Sequence, residues 1–352
     1  MSTSHVRLGI IGAGAIADSA GNAVRRHDDA SLTGVFDLSA ERRDDFAKRY
    51  DVPHAFDSAE ALFASDEVDA VYIAVPNKFH APLAEQGLKA GKHVIIDKPF
   101  AMNLDEAKGV VAAAKESGKV FTVGMNKRFD RGIQKLKSRV DAGEFGEVYH
   151  AKAYWMRRSG IPKLGTWFGN KELAGGGALL DIGVHLLDVA MHLTNNFKPV
   201  GAYGKVYTKF GHRGLGGGSW GKSDDEGLTF DVDDFATATI QFDTGLSVAL
   251  DVTWACHQPE GDRHDVQLFG TDAGVRAFGN ETYKPGEDSY LVQQGGGGTV
   301  KYEHCERFHN FFNAILGREE IVTTPEQALA VQAILDAIYA SSETGKPQTI
   351  EV

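Results

Sequence analysis

A short turn, Gly12-Ala13-Gly14-Ala15-Ile16-Ala17, limits what this chain can fold into more than any other feature. It follows the apolar run Val6–Ile11 and opens an amphipathic segment, Ala15–His27. The spacing fits the G-x-G-x-x-G/A pattern of a strand that turns sharply into a helix and holds a pyrophosphate at the helix N-terminus. In that pattern Gly12 allows the tight turn and Gly14 lets backbone come close to the anion. Ala17 keeps the helix near its sheet, and the backbone N–H groups of Ala13, Ala15 and Ile16 supply donors. A lone match of this kind also occurs in plain strand–helix linkers, so its context matters.

That context is a regular alternation. Val6–Ile11, Ser31–Asp37, Asp69–Val75, His93–Asp97 and Val120–Met125 are short, β-branched and flanked by turn residues, which predicts strands. Ala15–His27, Ala40–Tyr50, Phe79–Ala90 and Leu104–Ser117 carry apolar residues at helical spacing. Strand–helix alternation at this pitch predicts a parallel sheet covered by helices on both faces, a Rossmann-type α/β domain over residues 1–126. Asp37 ends the second strand, where a carboxylate accepts hydrogen bonds from an adenosine ribose and repels a 2′-phosphate. Arg42 and Arg43, nearby, are the residues that could take such a phosphate. The balance favours NAD over NADP.

Beyond Met125 the texture changes. A helix at Arg131–Ala142 precedes a strand at Glu147–Met156, an irregular stretch and a helix at Ala178–Leu193. Longer alternating segments follow at Val200–Phe210, Asp233–Phe242, Leu246–Ala255 and Asp265–Phe269, with Asp243-Thr244-Gly245 as a hairpin turn. Helices at His304–Leu316 and Pro325–Ser341 close the chain. Residues 127–352 therefore read as an α+β domain with a large, mostly antiparallel open sheet.

Composition narrows the partners. Lys plus Arg is 37 and Asp plus Glu is 48, a net charge of −11, which disfavours nucleic acid and anionic membrane surfaces. Unbroken apolar runs such as Val71–Val75 are far below the roughly 20 residues of a membrane span. The first apolar run, at Val6, reads as a folded strand rather than a signal peptide. Two cysteines, Cys256 and Cys305, lack metal or redox spacing and suit a reducing cytoplasm. Glycine is unusually frequent, 41 of 352 residues, against roughly 7% in an average protein. The acidic Asp224-Asp225-Glu226 stretch reads as a solvated loop.

In an open parallel sheet, ligands bind beyond the carboxyl ends of the strands. Pro76, Asn77 and His80 follow one strand, Asp97-Lys98-Pro99 another, and Asn126 a third. Lys98, held extended before a proline, would point over that crevice, where its ammonium could polarise a substrate oxygen or relay a proton. A Lys-Pro after a strand is also a common solvated turn. Further on, Gly175-Gly176-Gly177 opens a helix that places Asp181 and His185 four residues apart on one face. There an acid can orient an imidazole and support its protonated form. Asp188 and His192 continue the stripe, but Asp181 and His192 lie about 16 Å apart along a helix, too far to share a metal ion. No metal site is expected. Tyr154, Trp155, Arg157, Arg158, Lys163 and Trp167 supply aromatic faces and basic donors that suit a sugar, or equally a core or interface.

The chain resembles the family of glucose–fructose oxidoreductase, inositol dehydrogenase and the rhizopine-catabolism oxidoreductases (Gfo/Idh/MocA). The resemblance lies in Gly12–Ala17, Pro76–His80, Ala90-Gly91-Lys92-His93-Val94, Asp97-Lys98-Pro99 and the segment Gly175–His185. The family's usual tripeptide is Glu-Lys-Pro, so Asp97 is one methylene short. The resemblance implies that His185 accepts the proton of the reacting hydroxyl, with Asp181 and Lys98 assisting. It also implies dimers or tetramers formed through the second domain's sheet. The expected cofactor contacts are Gly12, Ala13, Gly14, Ala15, Ile16, Asp37, Arg42, Pro76, Asn77, His80, Asp97, Lys98 and Asn126. Lys98, Tyr154, Arg157, Arg158, Trp167, Asp181 and His185 are the expected substrate contacts.

The resulting expectation is a cytoplasmic, homo-oligomeric oxidoreductase that moves a hydride between NAD and a secondary hydroxyl of a sugar, cyclitol or related polyol. Two other readings fit the same residues. One is a redox-neutral sugar enzyme (glycosidase, lyase or epimerase) that keeps its NAD through the cycle. The other is a non-catalytic NAD-responsive regulator.

Overall fold

Strands short enough to be crossed in four to seven residues, and apolar on both faces, need helices above and below. The computed structural model describes residues 4–220, 229–287 and 289–352; Asp224–Glu226 lies outside them. It divides into two units, Met1–Met125 with Glu306–Leu329, and Asn126–Cys305 with Ala330–Val352.

In the first unit β1 (Val6–Ile11), β2 (Ala30–Phe36), β3 (His54–Ala55), β4 (Ala70–Ile73), β5 (His93–Ile96) and β6 (Phe121–Val123) form one sheet. All its pairings are parallel, in the order β3-β2-β1-β4-β5-β6. The connecting helices are α1 (Ala17–Val24), α2 (Ala40–Tyr50), α3 (Ala59–Ala64), α4 (His80–Lys89) and α5 (Leu104–Ser117). Ser39 and Asn103 start α2 and α5 by accepting the N–H groups of Arg42 and Glu106. The strand order reverses between β1 and β4, which opens a crevice at their carboxyl ends.

A helix at Arg307–Ile315 returns to this unit, burying Phe308, Phe311 and Phe312 in a core with Ile10 and Tyr72. The boundary expected at residue 126 does not anticipate that return. The return brings Arg307 to Asp97, 210 positions earlier in the chain. In Ala90–Val94, Lys92 sends its ammonium to the carbonyls of Ser65 and Val68, and His93 Nδ1 accepts the Val120 N–H. These are fold-holding bonds.

The second unit is built on nine strands, β7 (Val148–Arg157), β8 (Pro199–Tyr207), β9 (Phe235–Phe242), β10 (Ser247–Thr253), β11 (Asp262–Gly270), β12 (Gly274–Arg276), β13 (Glu281–Pro285), β14 (Tyr290–Gln294) and β15 (Gln348–Thr349). Their order is β14-β13-β12-β11-β7-β10-β9-β8-β15. Among the described residues, only the β7–β10 pair of this sheet is parallel. One face buries Ala151, Ala153, Ala236, Ala238, Ile240, Val248, Leu250 and Val252. Helices α6 (Arg131–Asp141), α7 (Lys171–Ala174) and α8 (Val184–Thr194) belong to this unit. Thr324 caps the closing helix Pro325–Thr344 by accepting the Gln327 N–H, and Gly345 follows it at φ 70°. The helical stretch Lys171–Thr194 is long and apolar enough to cross a membrane by length and composition, but 78% of its apolar window is buried inside the protein. Asp181, His185, Asp188 and His192 interrupt it.

Candidate active site

In the first unit, the turn after β1 has the geometry of a phosphate cradle. Gly12 sits at φ 94°, and a Cβ there would stand 2.4 Å from the Ala74 carbonyl oxygen, so no other residue fits. A Cβ on Gly14 would meet nothing within 4 Å. Its freedom is not required by the protein's own packing, as expected where a ligand approaches the backbone. No side chain caps α1, whose preceding residues Ala15 and Ile16 are exposed. Ala17 and Ser19 give their N–H groups to the carbonyls of Gly14 and Ile16, which leaves those of Ala15 and Ile16, without an acceptor among the described residues, to meet an anion.

Asp37 accepts the N–H of Ala13 at 2.8 Å and of Ser39 at 2.8 Å, which ties the cradle to the end of β2. Arg42 Nε lies 3.3 Å from the same carboxylate. A carboxylate offers about four acceptor positions, so Asp37 keeps capacity for a ribose hydroxyl. The residues present fit a dinucleotide.

At the ends of β4 and β5 the structure redistributes the expected roles. Asp97 is buried, and its carboxylate receives the Tyr72 hydroxyl at 2.7 Å, the Lys98 N–H at 2.8 Å and the Arg307 guanidinium at 3.2 Å. Burial alone would raise its pKa, but Arg307, then Lys98 and Tyr72, hold it below the usual carboxylate range. Asp97 was expected at the cofactor; instead its oxygens are committed to this buried group, where it fixes the backbone of Lys98. Lys98 itself is half-buried, with a cis bond to Pro99. His80, also expected at the cofactor, is turned into the protein: it is 1% exposed, and its ring nitrogens lie 2.8 and 2.9 Å from the Pro99 and Val75 carbonyls, one of which can accept its single N–H. Pro76 is half-buried, and Asn77, which begins a single 3-10 turn, is buried.

In the second unit, three glycines admit a helix against close neighbours. Gly175 has φ 78°, a Cβ on Gly176 would lie 2.0 Å from the Tyr339 hydroxyl, and one on Gly177 would lie 1.8 Å from the Asp233 carbonyl oxygen. Asp233 receives the N–H groups of Gly177 and Leu179 and the Tyr339 hydroxyl. The expected helix begins instead as a π-helical turn, Leu179–Gly183, which passes into α8. Such turns are rare and concentrate at functional positions.

Asp181 sits in that turn and accepts the Trp254 indole N–H at 2.8 Å. The buried Trp254 follows β10. His185 is in the first turn of α8, its ring 6.4 Å from that of Trp155. Asp188, further along α8, is bound bidentately by the buried guanidinium of Arg128, so its carboxylate is committed to an ion pair.

Trp155, not Tyr154, stands with His185. Successive residues of a strand face opposite sides, and Tyr154 points to the other face, under the Arg263 guanidinium at 5.5 Å. Trp155 donates to Asp262, and Arg157 lies 4.5 Å over its ring while also reaching Asp262. His264 and Phe278 extend this wall, with ring separations of 4.8 and 4.9 Å. Arg158 instead pins the carbonyls of Gln258 and Pro259. Trp167 stacks on Phe168 at 3.9 Å, and Lys163 is exposed. Asn126 is exposed at the start of a 3-10 turn. Trp254 and Arg307 are the site residues that sequence reasoning did not find. A buried indole needs an acceptor, but nothing in the sequence pairs position 254 with 181 or 307 with 97.

Residues 6–125 match the family described as "Oxidoreductase family, NAD-binding Rossmann fold" and residues 133–276 match the "GFO/IDH/MocA C-terminal domain". The chain is 31% identical over 350 residues to a D-glucoside 3-dehydrogenase of Escherichia coli, covering 98% of this chain and 97% of that protein. This chain belongs to the Gfo/Idh/MocA oxidoreductase family. A second family relative, a scyllo-inositol 2-dehydrogenase (NADP(+)) of Bacillus subtilis, is 35% identical over 204 residues, 56% of this chain and 61% of that protein. A solved levoglucosan dehydrogenase in complex with NADH and levoglucosan shares the fold, with a TM-score of 0.84 at 20% identity over 99% of this chain and 100% of that one. Membership in the Gfo/Idh/MocA family assigns the first unit as an NAD-binding Rossmann domain.

Proposed function

We propose that this chain is an NAD-dependent dehydrogenase that oxidises a secondary hydroxyl of a sugar, glycoside, cyclitol or related polyol. The observation that carries the proposal is the fixed Asp181 carboxylate, held by Trp254 in a π-helical turn one helical turn before His185. A dehydrogenase of alcohols needs a base for the hydroxyl proton and groups that hold the oxygen while hydride leaves the same carbon. His185 takes the proton, Asp181 stabilises the imidazolium that results, and Lys98 donates to the reacting oxygen. Bound NAD supplies the hydride acceptor. The wall of Trp155 and Arg157 offers a ring face and donors for a pyranose, consistent with a relative named for glucosides.

NAD is preferred because Asp37 already neutralises Arg42 and would repel a 2′-phosphate. The exposed side chains of Tyr203, Tyr207 and Phe269 favour a homodimer or homotetramer formed through the nine-stranded sheet. The two free cysteines, Cys256 and Cys305, suit a cytoplasmic enzyme.

The test is a panel of glucosides, free sugars, inositols and anhydrosugars incubated with purified protein and NAD. Net NADH with at least one class is the expected result. Substrate consumed without NADH, by protein purified with dinucleotide attached, would replace this reading with the redox-neutral one.

A further inference from the structure

We propose that the second unit carries an anion site, separate from the Asp181–His185 helix, that takes a phosphate monoester. Arg131, Lys135 and Arg139 are four residues apart along α6 and so share one face. Like charges at that spacing repel one another along the helix. Here they line a cavity of about 280 Å³ with Arg276, Gly296 and Gly297.

Four cations converge on it, in a protein whose net charge is −11. Two are engaged. Arg139 is held by Glu144 and Thr282, and Arg276 by Asp265 and Glu281. The other two, Arg131 and Lys135, have no carboxylate partner among the described residues; Arg131 bonds only the Glu303 carbonyl.

The opposite wall is the tetraglycine loop 295–298. A Cβ on Gly296 would stand 2.2 Å from Arg139 Nη1, and one on Gly298, at φ 105°, 2.4 Å from the Lys135 carbonyl oxygen. Glycine is therefore required for the loop to close over α6. Gly295 gives its N–H to Asn280, while those of Gly296 and Gly297 have no acceptor among the described residues. Gly296 and Gly297 line the same cavity as Arg131 and Lys135, and consecutive backbone N–H groups beside cations can form a concave anion receptor. A tetrahedral, doubly charged phosphate can use both kinds of donor at once.

The experiment uses the full chain and inorganic phosphate, with chloride at matched ionic strength, followed by thermal unfolding and titration calorimetry. The expected result is saturable phosphate binding and a raised Tm, with glycerol 3-phosphate doing the same. The double variant Arg131→Gln/Lys135→Gln should lose at least about tenfold in phosphate affinity while its own Tm without phosphate stays unchanged, since both side chains are exposed. Equal effects of chloride, no saturable binding, or phosphate bound equally well by the double variant would each overturn the proposal.

Discussion

Trp254 donates its indole N–H to Asp181 at 2.8 Å, and so sets the orientation of a carboxylate that lies in a π-helical turn. Neither residue is free to relax, because Trp254 is fully buried and Asp233 pins the start of the turn. A hydrogen bond to a charged acceptor is worth about 1.5–3 kcal/mol. Trp254→Phe is therefore expected to lower kcat by roughly 10–100-fold, with little change in KM. Its kcat–pH profile should shift as well, because Asp181 no longer holds one orientation toward His185. Parallel kinetics of the two proteins check this; a change confined to stability would show the bond to be structural only.

Asp97 and Arg307 form a second long-range pair, with Tyr72 as the third member. Removing one partner of a buried ion pair typically costs about 3–5 kcal/mol. Asp97→Asn should destabilise by that order in urea unfolding, and the double variant Asp97→Asn/Arg307→Gln should recover part of the loss. Strict additivity of the two single effects would show that the pair is not coupled.

The first unit was legible from sequence because its signals are local. Periodicity, capping residues and the glycine turn all act within a few residues, and the parallel order follows from the alternation. β3 and α3, with 2 and 6 residues, are too short to show a period. The second unit was legible in outline, but β12, β13, β14, β15 and the π-helical turn were not. β14 is exposed throughout and has no alternation to read. The buried partners of Asp97 and His80 were not legible for the same reason that Arg307 and Trp254 were missed. Each is decided by a partner far along the chain. Tyr154 and Trp155 were both visible as candidates, and only the strand's register decides which faces His185.

The two cradle glycines should separate. Gly12→Ala places a Cβ against the Ala74 carbonyl at a left-handed φ, so it should destabilise by several kcal/mol or fail to fold. Gly14→Ala meets nothing in the protein, so Tm should hold while NAD affinity falls at least about tenfold. Thermal unfolding with and without NAD measures both. An unchanged NAD affinity in Gly14→Ala would remove the cradle from the account.

His93 gives a pH dependence with a definite sign. Burial, helped by Lys119, lowers its pKa from 6.5 to about 4, and its Nδ1 must stay unprotonated to accept the Val120 N–H. The unfolded chain then binds this proton more readily, so stability is full above about pH 6.5 and is lost as pH falls toward 4. Between pH 7 and pH 5 the loss from this group is about 2 kcal/mol. His93→Gln should flatten that part of the profile in denaturant titrations. An unchanged slope would assign the loss to other groups.

Lys98 and His185 are expected to act on the reacting hydroxyl, with the dinucleotide held chiefly by the Gly12–Gly14 cradle. The most direct test of this central claim measures NADH formation and NAD affinity together, in Lys98→Ala and His185→Ala, on the substrate that the panel identifies. Turnover should fall by about two to four orders of magnitude, with NAD affinity within about threefold of the parent. Loss of NAD binding with turnover at saturating NAD unchanged would contradict it.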